Sequence, residues 1–174
     1  STLDVNGVTT HLANLQGFGT LTSNGGPAEV TVGLGDFGGS IAGDIALTKA
    51  GSDLLILSER NTYTGATTIA GGVVRLRAEG ALADGTAVTL HGDSRLQLEG
   101  YDQSIGSLAG TSGLSSVELD GATLTVGSNG ANTTYAGWIG SGALVKTGAG
   151  NLTLTGDFND LASTHVAPRT LTIG

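Results

Sequence analysis

The sequence has no cysteine and is poor in aromatic and charged residues. Of its 174 residues, 4% are aromatic and 13% are charged, whereas charged residues make up about 25% of an average soluble domain. Such a composition does not describe an ordinary helical or α/β enzyme. The absence of cysteine is compatible with the cytosol, and by itself it assigns no compartment.

Basic residues are also scarce, because the net charge is −8 and only seven residues are lysine or arginine. These seven are scattered as Lys49, Arg60, Arg75, Arg77, Arg95, Lys146 and Arg169. No basic face is therefore expected, and nucleic acid is excluded as a partner. No run of about 18 apolar residues occurs, and the first ten residues, STLDVNGVTT, lack the basic and apolar regions of a signal peptide. We expect an internal piece of a larger protein.

The chain is rich in glycine and still hydrophobic enough to form a core. It contains 31 glycines and 39% hydrophobic residues, so we expect many turns in an ordered chain. Apolar-x-apolar triplets recur between polar or glycine-rich breaks, and this period of two predicts short strands with one buried face. The best helix candidate, residues 78–83, is interrupted by Gly80 and is too short to be stable alone.

The spacing of these triplets separates a solenoid from other all-β folds. The inward leucines Leu57, Leu76 and Leu98 follow one another at intervals of roughly 20 residues. A period of about 20 to 25 residues fits a coil of three short strands per turn, whereas a sandwich would need hairpin signals about every 8 to 12 residues. The sequence predicts a parallel β-helix of about eight turns, on the order of 40 Å long.

The same pattern predicts which side chains form the core. Leucine and valine dominate the inward positions, as a narrow coil requires. We expect the interior to contain Leu47, Leu55, Leu57, Val74, Leu76, Leu96, Leu98, Val117, Leu119, Leu124, Val126, Leu144, Leu152 and Leu154. Leu3, Val5, Leu171 and Ile173 form further triplets at the two ends.

An internal repeat organises the chain, since Lys49 and Lys146 both lie in the pattern L-x-K-x-G-x-x-x-L-x-L. The matched residues are Leu47, Lys49, Gly51, Leu55 and Leu57 in the first copy and Leu144, Lys146, Gly148, Leu152 and Leu154 in the second. The offset between the copies then holds to the end of the chain. The chain is therefore a repeat protein.

This pattern resembles the autotransporter passenger-associated repeat. The second copy has its opening half, YAGWIGSGALVKTGAGNLTLTG, and the first copy has its closing half, Asn61, Tyr63, Gly65 and Thr67. The resemblance covers about residues 37–77 and 133–174, and more loosely the stretch between them. Departures occur at Ser52-Asp53 in the first copy and in the second copy's closing half, which keeps only Thr164.

The resemblance implies a right-handed β-helix and a non-enzymatic stalk at the surface of a Gram-negative bacterium. Residues 1–174 would be one β-helical segment of a larger passenger, in which type V secretion proceeds through a C-terminal outer-membrane barrel of the same precursor. Adhesion and virulence would follow from contact with a host-cell surface or from self-association. A chain that crosses a membrane unfolded has reason to lack cysteine. The C-terminal half would be the folding seed.

The closing half of the first copy predicts a special turn. We expect Gly65 to have a positive φ and Tyr63 to cover the edge of the coil. Lys49 and Lys146 occupy equivalent positions, which allows either a ligand-binding ladder or a structural role near a turn. Their separation of about four turns, roughly 20 Å, favours the structural role.

Two short patterns resemble catalytic motifs. Gly33, Gly35 and Gly38 form G-x-G-x-x-G with Asp53 following, but the helix of a dinucleotide site is missing, so turns are favoured. Residues 92–96, GDSRL, resemble the G-D-S-x-L motif of one esterase family, but Asp160 and His165 have the wrong spacing for its partners. A polar turn is the favoured interpretation.

Metal and acid-base chemistry have little support in the sequence. His11, His91 and His165 lack the spacing of a metal site. Glu118 and Asp120 are the nearest approach to a carboxylate pair, and alternation puts both outside. The sequence predicts no catalytic, cofactor-binding or metal-binding residue. The alternative function is a fragment of a carbohydrate-active β-helix enzyme, a polysaccharide lyase or hydrolase, which would need three or more carboxylates in one groove.

Overall fold

The protein is built from short parallel strands. The computed structural model describes residues 1–157, 161–166 and 171–173, and this part of the chain contains strands and turns but no helix. The strands are β1 Thr2–Asp4, β2 Thr10–Asn14, β3 Thr20–Phe37, β4 Ser40–Lys49, β5 Leu54–Leu57, β6 Thr62–Tyr63, β7 Thr67–Ile69, β8 Val73–Leu76, β9 Ala87–Leu90, β10 Arg95–Gln97, β11 Gln103–Ile105, β12 Ser107–Ala109, β13 Ser116–Glu118, β14 Thr123–Val126, β15 Thr133–Tyr135, β16 Trp138–Gly140, β17 Gly142–Lys146, β18 Leu152–Leu154, β19 Leu161–Val166 and β20 Leu171–Ile173. None of the described residues forms a helix long and apolar enough to cross a membrane.

The strands stack into a solenoid with three faces, and every strand pair is parallel. The first face contains β1, the starts of β3 and β4, β6, β11, β14, β17 and β19. The second face contains β2, the middle of β3, the end of β4, β7, β9, β12, β15, β18 and β20. The third face contains the end of β3, β5, β8, β10, β13 and β16. The predicted parallel β-helix of about eight turns is confirmed.

The rungs differ in length along the rod. The register pairs Val30 with Leu47 in a short rung and Gly110 with Tyr135 in a long one, a range of about 17 to 25 residues per rung. The predicted period is therefore too long for the rung that passes through β4. This rung is short because one of its corners is short. Strand β4 passes from the first to the second face through Asp44 alone, whereas β3 uses residues 24–27 for the same corner.

The core lies along the axis of the coil. All the side chains predicted to face inward are at most 2% exposed, so that prediction is confirmed. At the N-terminal end Leu3 is half exposed and Val5 is buried. The side chains of Leu171 and Ile173 lie outside the described residues.

The first face is interrupted at residues 78–83, between β6 and β11. This stretch, the best helix candidate in the sequence, forms bends and turns, yet Ala81 and Leu82 are fully buried. Two buried carboxamides hold it in place. Asn61 in the rung before donates from Nδ2 to Ala81 O (2.5 Å), and Gln103 in the rung after accepts from Leu82 N (3.1 Å) at Oε1. Together with the backbone hydrogen bond from Asn61 N to Gly80 O (2.9 Å), these side chains replace the missing strand pairing.

Candidate functional site

The first repeat ends a strand with a buried lysine. Lys49 is the last residue of β4 and its side chain is 1% exposed. Its Nζ donates to Ala50 O (2.6 Å), Gly51 O (3.1 Å) and Gly71 O (3.3 Å), the last of these in the next rung. Burial lowers the pKa of Lys49, while the charge of Asp53 acts to raise it. The ammonium thus satisfies carbonyl groups that turn inward at this corner.

The second repeat builds the same corner. Lys146 is the last residue of β17, is 1% exposed, and donates from Nζ to Thr147 O and to Gly148 O (3.5 Å). Burial lowers its pKa as well. The glycine two residues after each lysine has a positive φ, 73° at Gly51 and 67° at Gly148, which turns its carbonyl toward the ammonium. The expected structural role of the two lysines is confirmed.

The two corners lie on different faces of the coil. Lys49 closes a strand of the second face, whereas Lys146 closes a strand of the first face. The offset between the repeats is not a whole number of rungs, so the equivalent strands are displaced by one face. The two lysines do not form a ladder along one side of the rod.

The closing half of the first repeat is a buried hydrogen-bond network. Thr67 Oγ1 lies 2.7 Å from Tyr63 Oη and 3.1 Å from Oγ1 of Thr86 in the next rung. Thr86 Oγ1 in turn donates to Gly65 O (2.9 Å). Asn61 extends the network backward, since its Oδ1 accepts from Ile41 N at 2.6 Å. The motif therefore ties three successive rungs together.

Two expectations for this turn are wrong. Gly65 does not have a positive φ; a Cβ there would instead lie 2.5 Å from Ile45 O and 2.7 Å from Ala46 N. Glycine is needed because two backbones approach closely, not because of its conformation. Tyr63 does not cover an edge, because its ring is inside the core at 2% exposure, and burial raises its pKa.

The glycines of the apparent dinucleotide motif also serve backbone approach. A Cβ at Gly33 would lie 2.7 Å from Ala13 O, and one at Gly35 would overlap Leu15 O. Gly33 and Gly35 lie inside strand β3, and the next strand follows at Ser40 without a helix. These residues stack one rung on another and form no phosphate-binding loop.

The serine of the GDSRL stretch is inaccessible. Ser94 is 0% exposed, and its Oγ has no hydrogen-bond partner among the described residues. Asp160 and the side chain of His165 lie outside the described residues. A buried hydroxyl cannot reach a substrate carbonyl, so the structure does not bring a nucleophile to the surface here.

The other candidate polar residues remain apart. His11 and His91 are both exposed and lie in different rungs of the coil, in β2 and directly after β9. Glu118 is half-buried and Asp120 exposed, and both lie outside the core as alternation predicts. Within residues 1–157, 161–166 and 171–173, no group of three or more His, Asp or Glu could hold a metal ion.

Sequence reasoning missed a polar ladder on the third face. Arg75 donates from Nε (3.1 Å) and Nη2 (3.0 Å) to Gln97 Oε1, and Gln97 donates from Nε2 to Glu118 Oε2 (2.6 Å). Ser116 donates to Glu118 Oε1 (3.2 Å), and the next rung places Trp138 beside Ser116. The sequence contains these polar residues about once per rung, but only the register of the strands shows that they are stacked on one another.

The second face is different in character. Thr31, Thr48, Thr68 and Thr89 are stacked in register on its outer side. Small side chains such as Ala46 lie beside them. This column carries no charged side chain, although Glu29 lies beside it in register with Ala46, whereas the ladder on the third face carries both signs.

Comparison with known proteins agrees with the repeat pattern. A family profile described as Passenger-associated-transport-repeat matches residues 47–76 and 144–165. The chain carries the repeats of an autotransporter passenger. Such passengers are displayed at the bacterial cell surface from an outer-membrane-anchored precursor, in agreement with the predicted location.

Two curated proteins are similar to this chain. The "Adhesin BmaC autotransporter" of Brucella suis biovar 1 (strain 1330) is 40% identical over 124 residues, which is 69% of this chain and 4% of that protein. The "Uncharacterized protein YuaQ" of Escherichia coli (strain K12) is 34% identical over 90 residues, 51% of this chain and 6% of that protein. The chain thus spans a small fraction of either relative. No solved structure matches it.

Proposed function

We propose that the chain is a non-enzymatic β-helical stalk segment of an autotransporter passenger. It supports display at the cell surface, adhesion and folding-coupled secretion, and it is exported through a C-terminal outer-membrane barrel of the same precursor. The observation that carries this proposal is the stacking itself, because every strand of the described chain pairs with rungs directly before or after it.

Stacking between neighbours suits secretion from one end. A rung that emerges outside the cell needs only the neighbouring rung that has already emerged and folded, so folding proceeds in step with emergence. The network around Tyr63 and Thr67 strengthens this coupling, and so does the buried Lys49, since both bond to the adjacent rung. Folding outside the membrane then opposes backward sliding of the chain.

The adhesive part of the proposal is supported by the outer faces and by the relative named an adhesin. The rod presents long ladders of side chains at about 4.8 Å intervals, and a partner that repeats along its own length can contact several rungs at once. A host-cell surface and a second copy of the rod are both such partners.

The test uses the purified chain on beads. We expect these beads to bind cultured epithelial cells or to aggregate one another above the level of beads coated with albumin. Bead clustering without cell binding would assign the surface to self-association. Absence of both would show that this segment is a spacer, and the adhesive part of the proposal would be wrong.

Secretion is tested separately by placing the chain within an autotransporter that displays an epitope tag. We expect Leu152→Asp, a change in the core, to reduce surface display strongly, because the disrupted rung cannot fold on its neighbour. The exposed position Leu3→Asp is the control. Equal display of both variants would contradict folding-coupled export.

A further inference from the structure

The single tryptophan of the chain lies on the outer side of the third face. Trp138 begins β16 and is partly exposed, while the next residue, Ile139, is fully buried. Register stacks Trp138 on Ser116, and Ser116 on Arg95. The three side chains therefore form one outward column along the rod, with about 4.8 Å between neighbours.

The backbone holds Trp138 firmly. Its N–H donates to Ser115 O in the rung before (2.9 Å), and its carbonyl oxygen accepts from the hydroxyl of Tyr135 (3.4 Å). Tyr135 is fully buried and also accepts a hydrogen bond from Ser115 Oγ (3.3 Å). An aromatic ring on so rigid a strand loses little conformational entropy when a ligand stacks on it.

Polar groups in the column beside that of the tryptophan are already oriented. The ladder from Arg75 through Gln97 to Glu118 fixes an amide and a carboxylate across three rungs, and Ser116 joins it from the column of Trp138. The carboxylate of Glu118 keeps lone pairs free for further donors, and Gln97 Nε2 keeps one N–H free for an acceptor, since Oε1 of Gln97 already accepts two hydrogen bonds from Arg75. Planar amide and carboxylate groups arranged beside an aromatic ring suit a ligand that has apolar ring faces and hydroxyl edges.

The charges around the column nearly cancel. Among the lysines and arginines that the structure describes, Arg95 alone makes no ion pair or hydrogen bond through its side chain. Glu118 lies one rung after Arg95. Asp157 lies in the rung after Trp138, where its carbonyl oxygen accepts a hydrogen bond from Ile139 N (2.9 Å). Such a surface selects no strong net charge in its ligand.

We propose that the third face from Arg95 to Trp138 binds a neutral oligosaccharide running along the rod. A pyranose ring stacks on Trp138, and the next units place their hydroxyls on Ser116, Glu118 and Gln97. The spacing of the rungs is close to the length of one sugar unit in an extended chain. The inference refines the adhesive part of the proposed function, and its test uses the purified rod, so either can fail without the other.

Tryptophan fluorescence gives a direct test, because the chain has one tryptophan and its emission reports on this site alone. We would titrate the chain with neutral gluco-, galacto- and manno-oligosaccharides of increasing length. We expect a saturable change in emission for at least one series, with affinity that rises up to about three units, the span of the rungs from Arg95 to Trp138. No change with any neutral series would overturn the proposal.

Variants locate the site, with binding followed by calorimetry because Trp138 is itself the fluorophore. Trp138→Ala should abolish binding, and Trp138→Phe should weaken it about tenfold. Gln97→Ala and Glu118→Ala should each weaken it by a similar factor. Thr68→Ala on the second face is the matched control and should bind like the wild type, and melting curves would show that every variant is folded.

Two further results would overturn the proposal. Binding of sulfated or carboxylated oligosaccharides alone, lost in Arg95→Ala, would identify an anion site and not a neutral sugar site. Equal weakening by Thr68→Ala and Gln97→Ala would show contact spread over the rod and no site at Trp138.

Discussion

The two repeats share a corner and differ in the segment after it. In both, a strand ends at a buried lysine whose Nζ bonds to carbonyl groups one and two residues later. Only the first repeat continues into the network of Asn61, Tyr63 and Thr67; the second has Phe158, Asp160 and Thr164 at these places in the sequence. The corners also lie on different faces of the coil.

This difference separates a local device from one that needs its neighbours. The lysine corner bonds largely within its own turn, so it works on any face and can be repeated at an offset that is not a whole number of rungs. The network bonds to Ile41 in the rung before and to Ala81 and Thr86 in the rung after. It therefore contributes to the order of three rungs and is tied to one place in the solenoid.

The largest expected effect comes from a charged side chain placed in the core of either repeat. Leu152 and Leu55 are equivalent and 0% exposed, and an unpaired carboxylate at either should destabilise the fold by about 4 kcal/mol or more. If the second repeat is the folding seed, Leu152→Asp and Leu154→Asp impair the whole chain, while Leu55→Asp leaves the C-terminal rungs protected from hydrogen exchange.

Leu3→Asp is the control for that experiment. Because Leu3 is half exposed, this substitution should disorder only the first turn. Uniform loss of protection in the Leu3 variant would place the seed elsewhere. A purely local effect of Leu152→Asp would do the same.

Gly65→Val should be the next most damaging change. The new Cβ would lie 2.5 Å from Ile45 O, a backbone atom that cannot move without disturbing the rung, so we expect a loss of about 3 kcal/mol. Gly113→Val is the matched control, since the nearest atom to a Cβ there is Ala136 O at 3.8 Å. Urea denaturation measures both. Equal midpoints would show that the close approach at Gly65 is unimportant.

Asn61→Ala tests the network of the first repeat. The change leaves Ile41 N and Ala81 O without partners inside the protein, which should cost about 2 to 3 kcal/mol. Gln97→Ala removes a comparable number of hydrogen bonds on the half-buried third face, where water replaces them, and should cost less than about 1 kcal/mol. Similar losses in the two variants would mean that burial does not decide the strength of these links.

Much of this fold follows from sequence, but the corners do not. A period of two and a narrow choice of aliphatic residues determine which side chains face inward, and positions such as Leu47 and Val117 are buried as predicted. Gly65 shows why the role of a corner residue is harder to predict from sequence. Its role depends on how closely the backbone of Ile45 approaches, and that distance is set by two rungs together. The ladder from Arg75 likewise requires the register, and rungs of unequal length do not reveal the register in advance.

Lysine substitutions sharpen the comparison between the two corners. Lys49 bonds to three carbonyl groups, one of them in the next rung, and Lys146 to two in its own turn. We expect Lys49→Met to cost about 2 kcal/mol and Lys146→Met about 1 kcal/mol. The exposed Arg95→Met, with no ion pair to lose, should change stability by less than about 0.5 kcal/mol. Thermal denaturation checks the order, and a larger loss at Lys146 would reverse it.

The smallest expected effect depends on pH and compares the buried tyrosines of the two repeat regions. Burial raises the pKa of Tyr135 to about 12 and also raises that of Tyr63, from an ordinary value of 10.0. Below pH 10 both hydroxyls are protonated in the folded and unfolded chain, so their contribution is complete. Between pH 10 and 12 the unfolded chain loses these protons first, and stability should fall as pH rises.

For Tyr135 this loss is about 1 kcal/mol at pH 11, and Tyr135→Phe should remove it. Lys49 and Lys146, whose pKa values burial lowers, act in the opposite direction in the window below 10.5, so each variant has to be compared with the wild type at the same pH. If Tyr135→Phe keeps the wild-type alkaline slope in urea denaturation, the ring of Tyr135 reaches water more freely than its position in the core allows. If Tyr63→Phe removes more of the alkaline slope than Tyr135→Phe, the network around Tyr63 excludes water better than the surroundings of Tyr135.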